Sequence, residues 1–146
     1  MHYPELQKLI EGGTVQAGDT LWIADYRHQS INDKPIRHLV PTEVRLISNV
    51  DLPPHKRIYY ADFHFRPYGK TGKLLAQIIA PYDNTGYRGY TGGSVGVFFT
   101  REEAVAYYLD QCQEVKTAIL KGAKAAQDRF DKMLSEVDEQ ADVFSH

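Results

Sequence analysis

The sequence predicts an α+β fold: a short leading helix, an antiparallel β-meander forming a small SH3-like barrel or strongly bent sheet, and a long C-terminal helix or helix pair. Three observations predict it. Residues 14–100 carry short apolar or alternating runs, rich in β-branched and aromatic residues and punctuated by Gly, Pro, Asn and Asp, with no helical pattern between them. Residues 101–146 instead carry apolar positions at steps of three and four. The chain has 146 residues, enough for one core and too few for two, so it divides into a β-rich core domain, 1–100, and a helical extension, 101–146.

Taken in order, Pro4 opens the leading helix, 4–11, where a first turn tolerates a missing N–H. Leu6, Leu9 and Ile10 give that helix one apolar side, and Gly12 and Gly13 stop it. Strands are expected at 14–17, 20–27, 42–50, 57–65, 74–80 and 94–100. Successive strands without crossover helices pair antiparallel, and short ones hide their edges by curling. The Gly18–Asp19 turn leads into a strand with Trp22 and Tyr26 on one face. Residues 28–42 read as a long connector, a length that in a compact domain often marks function.

"TREEAVAYYLDQC" starts the last element. Thr100 is the N-cap, Glu103 three residues on completes a capping box, and Glu102 and Glu103 suit the positive end of the helix dipole. Val105, Tyr108, Cys112, Val115 and Ile119 form a stripe that continues without reset through Ala126, Phe130, Met133 and Val137. The pattern predicts one helix of about 40 residues, or two nearly collinear ones kinked at Gly122. Such a helix is on the order of 60 Å long, more than a barrel of about 100 residues covers. Either the second half is a flexible or folded-back tail, or, as the leading expectation, the stripe builds a homo-oligomer through residues 105–141, with 123–141 lying beyond the core's reach.

Several function classes are excluded. A net charge of -2 and pI near 6.3 give no field that holds duplex nucleic acid. Cys112 has no second cysteine to pair with, so stability does not call for an oxidising compartment. The start of the chain lacks a basic, apolar signal segment, and no apolar run nears the roughly 20 residues of a membrane helix; we expect a cytoplasmic protein with no membrane partner. Asp62 and His64 share a strand face without a third ligand, Cys112 sits on an apolar stripe, and no phosphate-loop or dinucleotide fingerprint occurs. No catalytic residue, metal or cofactor is assigned.

What remains is "YDNTGYRGYTGG", residues 82–93, with four glycines and three tyrosines. Glycines let the backbone approach a ligand and present bare N–H groups, which suits anions. Arg88 offers a fork matched to phosphate, Tyr87 a flat face and a hydroxyl, and Asn84 paired donors and acceptors. Arg27 and Arg37 flank the 28–42 connector, and with Arg66, Lys70, Lys73 and Arg88 they would make one positive rim. Turn-forming glycines and tyrosines packed over a barrel mouth account for the loop equally well, and the rim also fits an acidic protein surface or single-stranded nucleic acid.

The runs "DYRHQSINDKPIRHLVPTEV", "IYYADFHFRPYGKTGKLL", "IIAPYDNTGYRGY" and "VFFTREEA" resemble small phage and prophage accessory proteins across residues 18–108. In its β-core followed by long C-terminal helices, the chain is also similar to anti-Thoeris sponges, oligomers that sequester cyclic ADP-ribose-type signals without cleaving them. That resemblance implies pockets at subunit contacts, which Arg101 at the helix start would join. The expectation is a non-catalytic protein of a host-cell cytoplasm that captures a small anionic, nucleotide-like ligand through Arg27, Arg37, Asn84, Tyr87, Arg88 and Arg101. The alternative is an SH3-like module that blocks a host defence protein directly. An enzyme acting on a cyclic nucleotide is a third reading.

Overall fold

The computed structural model describes residues 1–29, 34–56, 61–81 and 94–145, and in them the chain is α+β. Helix α1, Tyr3–Glu11, starts where the Glu5 carboxylate accepts the His2 backbone N–H at 2.8 Å. That bond, with a second to its own backbone, lowers the Glu5 pKa. Strands β1 (Thr20–Gln29), β2 (Lys34–Ser48), β3 (Phe63–Pro67) and β4 (Gly96–Phe98) form an open antiparallel sheet in the order β3-β2-β1-β4. Helix α2, Arg101–Ser145, closes the described chain.

Two expected elements are recast. Residues 14–17 form a turn rather than a strand, because the N–H groups of Thr14 and Val15 return to the Leu9 carbonyl at 2.9 and 3.2 Å and wrap the chain under α1. Residues 28–29 and 34–42 of the expected connector are strand instead: β1 and β2 continue through them in antiparallel pairing as the arms of a hairpin, and residues 30–33 lie outside the described residues. The prolines that argue against a strand there sit at irregularities of the ladder. Pro41 falls where the pairing shifts from Ile23↔Thr42 to Asp25↔Leu39, and Pro35, opposite His28, follows the shift between Arg27 and His28, the kind of irregular position where a strand tolerates proline. Residues 74–80 form no strand: they meet β3 at the isolated bridge Phe65↔Ile79 and through the Leu75 N–H, which donates to the Pro67 carbonyl at 2.8 Å, with a second bridge, Tyr68↔Leu74, one residue past β3. Residues 57–60 of the expected 57–65 strand lie outside the described residues.

Strand alternation sorts the two faces. Leu21, Ile23, Val44, Leu46, Phe65 and Val97 point to one side and pack with Tyr3 and Leu6 of α1 and with Val15, Ile79 and Val95. Each large side chain buried there contributes roughly 1.5–3 kcal/mol. On the other side Ala24 pairs with Gly96, and α2 crosses over them with Ala104 fully buried. The small residues set that approach: a Cβ on Gly96 would lie 2.7 Å from Cε1 of Tyr107 and 2.8 Å from Cε2 of Phe98.

The outer edge of β4 is covered by Met1, whose carbonyl accepts the Val97 N–H at 2.7 Å. The Thr100 hydroxyl caps α2, accepting the Glu103 N–H at 3.2 Å and donating to the Glu103 carboxylate at 3.0 Å. The helix then runs unbroken through Gly122 for 45 residues, so the single-helix alternative is the one observed. Among the described residues no helix is long and apolar enough to cross a membrane.

Candidate functional site

The cross-strand register of the hairpin brings Arg27 and Arg37 to the same position on neighbouring strands. Two cations set opposite each other are unfavourable unless something negative is near. Asp25 supplies one charge: it is 1 % exposed, and its Oδ2 accepts from Nε and Nη2 of Arg27 at 3.2 and 3.0 Å. Beside this pair, the Val95 N–H donates to the Pro81 carbonyl at 3.0 Å, closing the base of the 82–93 segment. Because Ala24 is opposite Gly96, that base lies next to Asp25. Asn84, Tyr87 and Arg88 themselves lie outside the described residues.

The single positive rim is not assembled. Arg66 is opposite Arg45, which is opposite Thr20, whereas Arg37 is opposite Arg27. Seven residues of β1 separate the two groups, about 23 Å at 3.3 Å per residue. Arg66 is also engaged locally, donating to the Leu75 carbonyl at 2.7 Å in the turn that carries the exposed Lys70 and Lys73. Arg101 belongs with the far group as well: it follows Phe98, which faces Trp22, and so stands at the opposite end of β1 from Arg27.

A second feature forms on the α2 side. Tyr26, His38 and Tyr108 cluster, with Tyr26 edge-on to His38 at 4.8 Å between centroids and His38 stacked on Tyr108 at 5.8 Å. The His38 Nε2 and the Tyr108 hydroxyl are 2.5 Å apart. Burial raises the Tyr108 pKa, and Cys112 adds to the shift. With Val115 and Ile119 these residues line an open groove of about 330 Å³ between the hairpin and α2. Tyr26, Tyr108 and Cys112 stand out in the sequence as facial residues, but His38 could be found only through the register that sets it opposite Tyr26.

His64, read as half of a strand pair with Asp62, is fully buried while Asp62 is exposed. Its Nδ1 lies 2.7 Å from Oδ1 of Asn49, and burial, aided by Arg66, lowers its pKa. Among the described residues no group of three or more His, Cys, Asp or Glu side chains is placed to hold a metal ion. Compared with protein-family models, with curated proteins and with solved structures, the chain matches none of them.

Proposed function

We propose that the protein is a non-catalytic binder of a small anionic, nucleotide-like ligand, taken up at the hairpin end of the sheet by Arg27 and Arg37 together with Asn84, Tyr87 and Arg88. The observation that carries this reading is the shared register of Arg27 and Arg37 beside the closed base of the glycine-rich segment. Two arginines at one register position, one of them paired with a buried carboxylate, are residue types that suit a phosphate. Arg101 is not part of this site, since it stands at the other end of β1.

Sequestration of a cyclic ADP-ribose-type signal, with the protein acting against a host defence, joins this site to the resemblance of residues 18–108 to phage proteins. In the same reading the sheet is the frame of a small SH3-like barrel. The Phe65↔Ile79 bridge and the Val95 to Pro81 hydrogen bond support this, for together they lead from the outer edge of β3 toward β4. The exposed stripe of α2 supports assembly as a homo-oligomer.

The test is thermal unfolding of the full chain against a panel of linear and cyclic nucleotides, with native mass spectrometry of the protein from expressing cells. A ligand at one hundred times its dissociation constant should stabilise by about 2.7 kcal/mol. No stabilisation across the panel and no nucleotide-mass adduct would overturn the reading in favour of the protein-blocking module, and turnover of the ligand would make the protein an enzyme.

A further inference from the structure

The face of the sheet that α2 crosses has two halves. On the hairpin side α2 lies over Ala24, Gly96 and Tyr26. Toward the other end of β1, strand alternation puts Thr20, Trp22, Glu43, Arg45 and Arg66 on that face, turned away from the core residues Leu21, Val44, Leu46 and Phe65. Thr20, Glu43 and Arg45 are exposed there, and Trp22, Arg66 and Tyr68 are half-buried, so this half is open among the described residues.

The register arranges the open half in two rows. The first sets Arg66, Arg45 and Thr20 side by side on β3, β2 and β1. The second runs from Tyr68, whose N–H donates to the Glu43 carbonyl at 3.3 Å, through Glu43 to Trp22 and Phe98. Tyr68 leans across the first row. Its hydroxyl lies 2.9 Å from Oγ1 of Thr20 and accepts from Nε of Arg45 at 3.2 Å, and the Arg45 guanidinium stands over its ring at 5.7 Å.

Two arginines directly opposite each other repel. Unlike Arg27, neither Arg45 nor Arg66 is in an ion pair with a carboxylate among the described residues. Each is instead held through Nε, Arg45 by the Tyr68 hydroxyl and Arg66 by the Leu75 carbonyl. The Nη nitrogens of both forks make no hydrogen bond among the described residues. Arg101 adds a third guanidinium beyond Phe98. At 100° per residue it falls within about 60° of both Ala104 and Tyr108, which α2 turns toward the sheet. Lys70 and Lys73 stand past the other end of the rows, in the turn after β3.

We propose that this open half-face binds single-stranded nucleic acid, with Arg45, Arg66 and Arg101 on successive phosphates and bases stacked on Trp22 and on the Tyr68–Arg45 pair. Four strands about 4.8 Å apart make the rows about 14 Å long. Cations spread over that length suit a ligand that repeats its charge, and rings among them suit bases that are not already paired. Glu43, between the rings, accepts from the amino group of a base. A duplex keeps its bases stacked inside, and a net charge of -2 gives it no general attraction to the protein. The site stands at the opposite end of β1 from Arg27 and Arg37 and does not depend on them.

Trp22 is the only tryptophan of the chain, so its fluorescence reports on this face alone. The experiment titrates the full chain with a mixed-sequence single strand of about 12 nucleotides, following Trp22 emission and the anisotropy of a dye on the strand. The expected result is saturable quenching that tracks the anisotropy, with affinity falling about a hundredfold for a tenfold rise in salt, the dependence of three neutralised phosphates. The duplex of the same sequence carries the denser charge and should still bind at least about tenfold more weakly. Arg45→Gln with Arg66→Gln should lower single-strand affinity at least about tenfold in a protein whose thermal unfolding shows it folded. Should that variant not fold, Arg101→Gln at the exposed helix start should remove one phosphate's share of the salt dependence. Neither quenching nor an anisotropy change at about 50 mM salt overturns the proposal. Anisotropy without quenching also overturns it, by placing the strand elsewhere, and so does equal or tighter binding of the duplex, by showing a face that reads charge alone. Polyglutamate that binds as tightly as the strand would make the partner an acidic protein instead.

Discussion

His64 carries a titration that the fold makes visible. Its Nδ1 faces Oδ1 of Asn49, whose amide Nδ2 donates to the Ala61 carbonyl, so Oδ1 is the acceptor and Nδ1 bears the hydrogen. The ring's Nε2 is buried without a hydrogen-bond partner. A proton there would place an uncompensated charge in the core beside Arg66, which is why burial first and Arg66 second lower the pKa. The unfolded chain takes up that proton near pH 6.5 and the native protein only at a lower pH. Stability from this group is therefore full above about pH 6.5 and falls as pH drops, with a limiting slope of about 1.4 kcal/mol per pH unit. Urea unfolding at pH 7.5 and 5.5 should show a steeper loss for the native protein than for His64→Gln, which donates to Asn49 without titrating. Equal losses would place the histidine in contact with solvent. Nothing in "DFHFRP" announces this arrangement, because Asn49 and Ala61 come from other parts of the chain.

At the scale of elements, the helices were the most legible. Pro4 with the terminal glycines, and Thr100 with Glu103, are local chemistry, and local hydrogen bonds satisfy helix ends wherever the helix is placed. The strands were less so. β2 extends back to Lys34 through two prolines because irregular pairing accommodates them, and a bulge is a property of two strands together. The second half of α2 makes its own prediction. Beyond Leu120 every described side chain is exposed except the half-buried Ala126, so that half adds little surface to what unfolding of the core exposes. A chain ended after Lys121 should fold with an unchanged urea m-value and should be monomeric by light scattering. Loss of the cooperative transition would mean that the tail packs on the core.

For the whole molecule, the decisive fact is which cations the sheet brings together. Six basic residues separated along the sequence read equally well as one rim or several, and the ladder divides them by placing Arg37 at Arg27 and Arg66 at Arg45. If the hairpin end takes the ligand, Arg37→Ala should cut ligand-induced stabilisation at least tenfold in ligand concentration, whereas Arg101→Ala should leave it unchanged. Thermal unfolding in the presence of the stabilising nucleotide checks both, and an equal loss in the two variants would move the site away from the hairpin. The α+β class, the leading helix, the start of α2 and the stripe along it are legible in the residues alone, because periodicity and capping are short-range. The hairpin's reach, the continuity of α2 through Gly122, the pairing of Asp25 with Arg27, the His38 groove and the burial of His64 emerge with the folded sheet and helix. All but the helix's continuity depend on strand register, which is set by packing two faces at once and is written in no single segment of the chain.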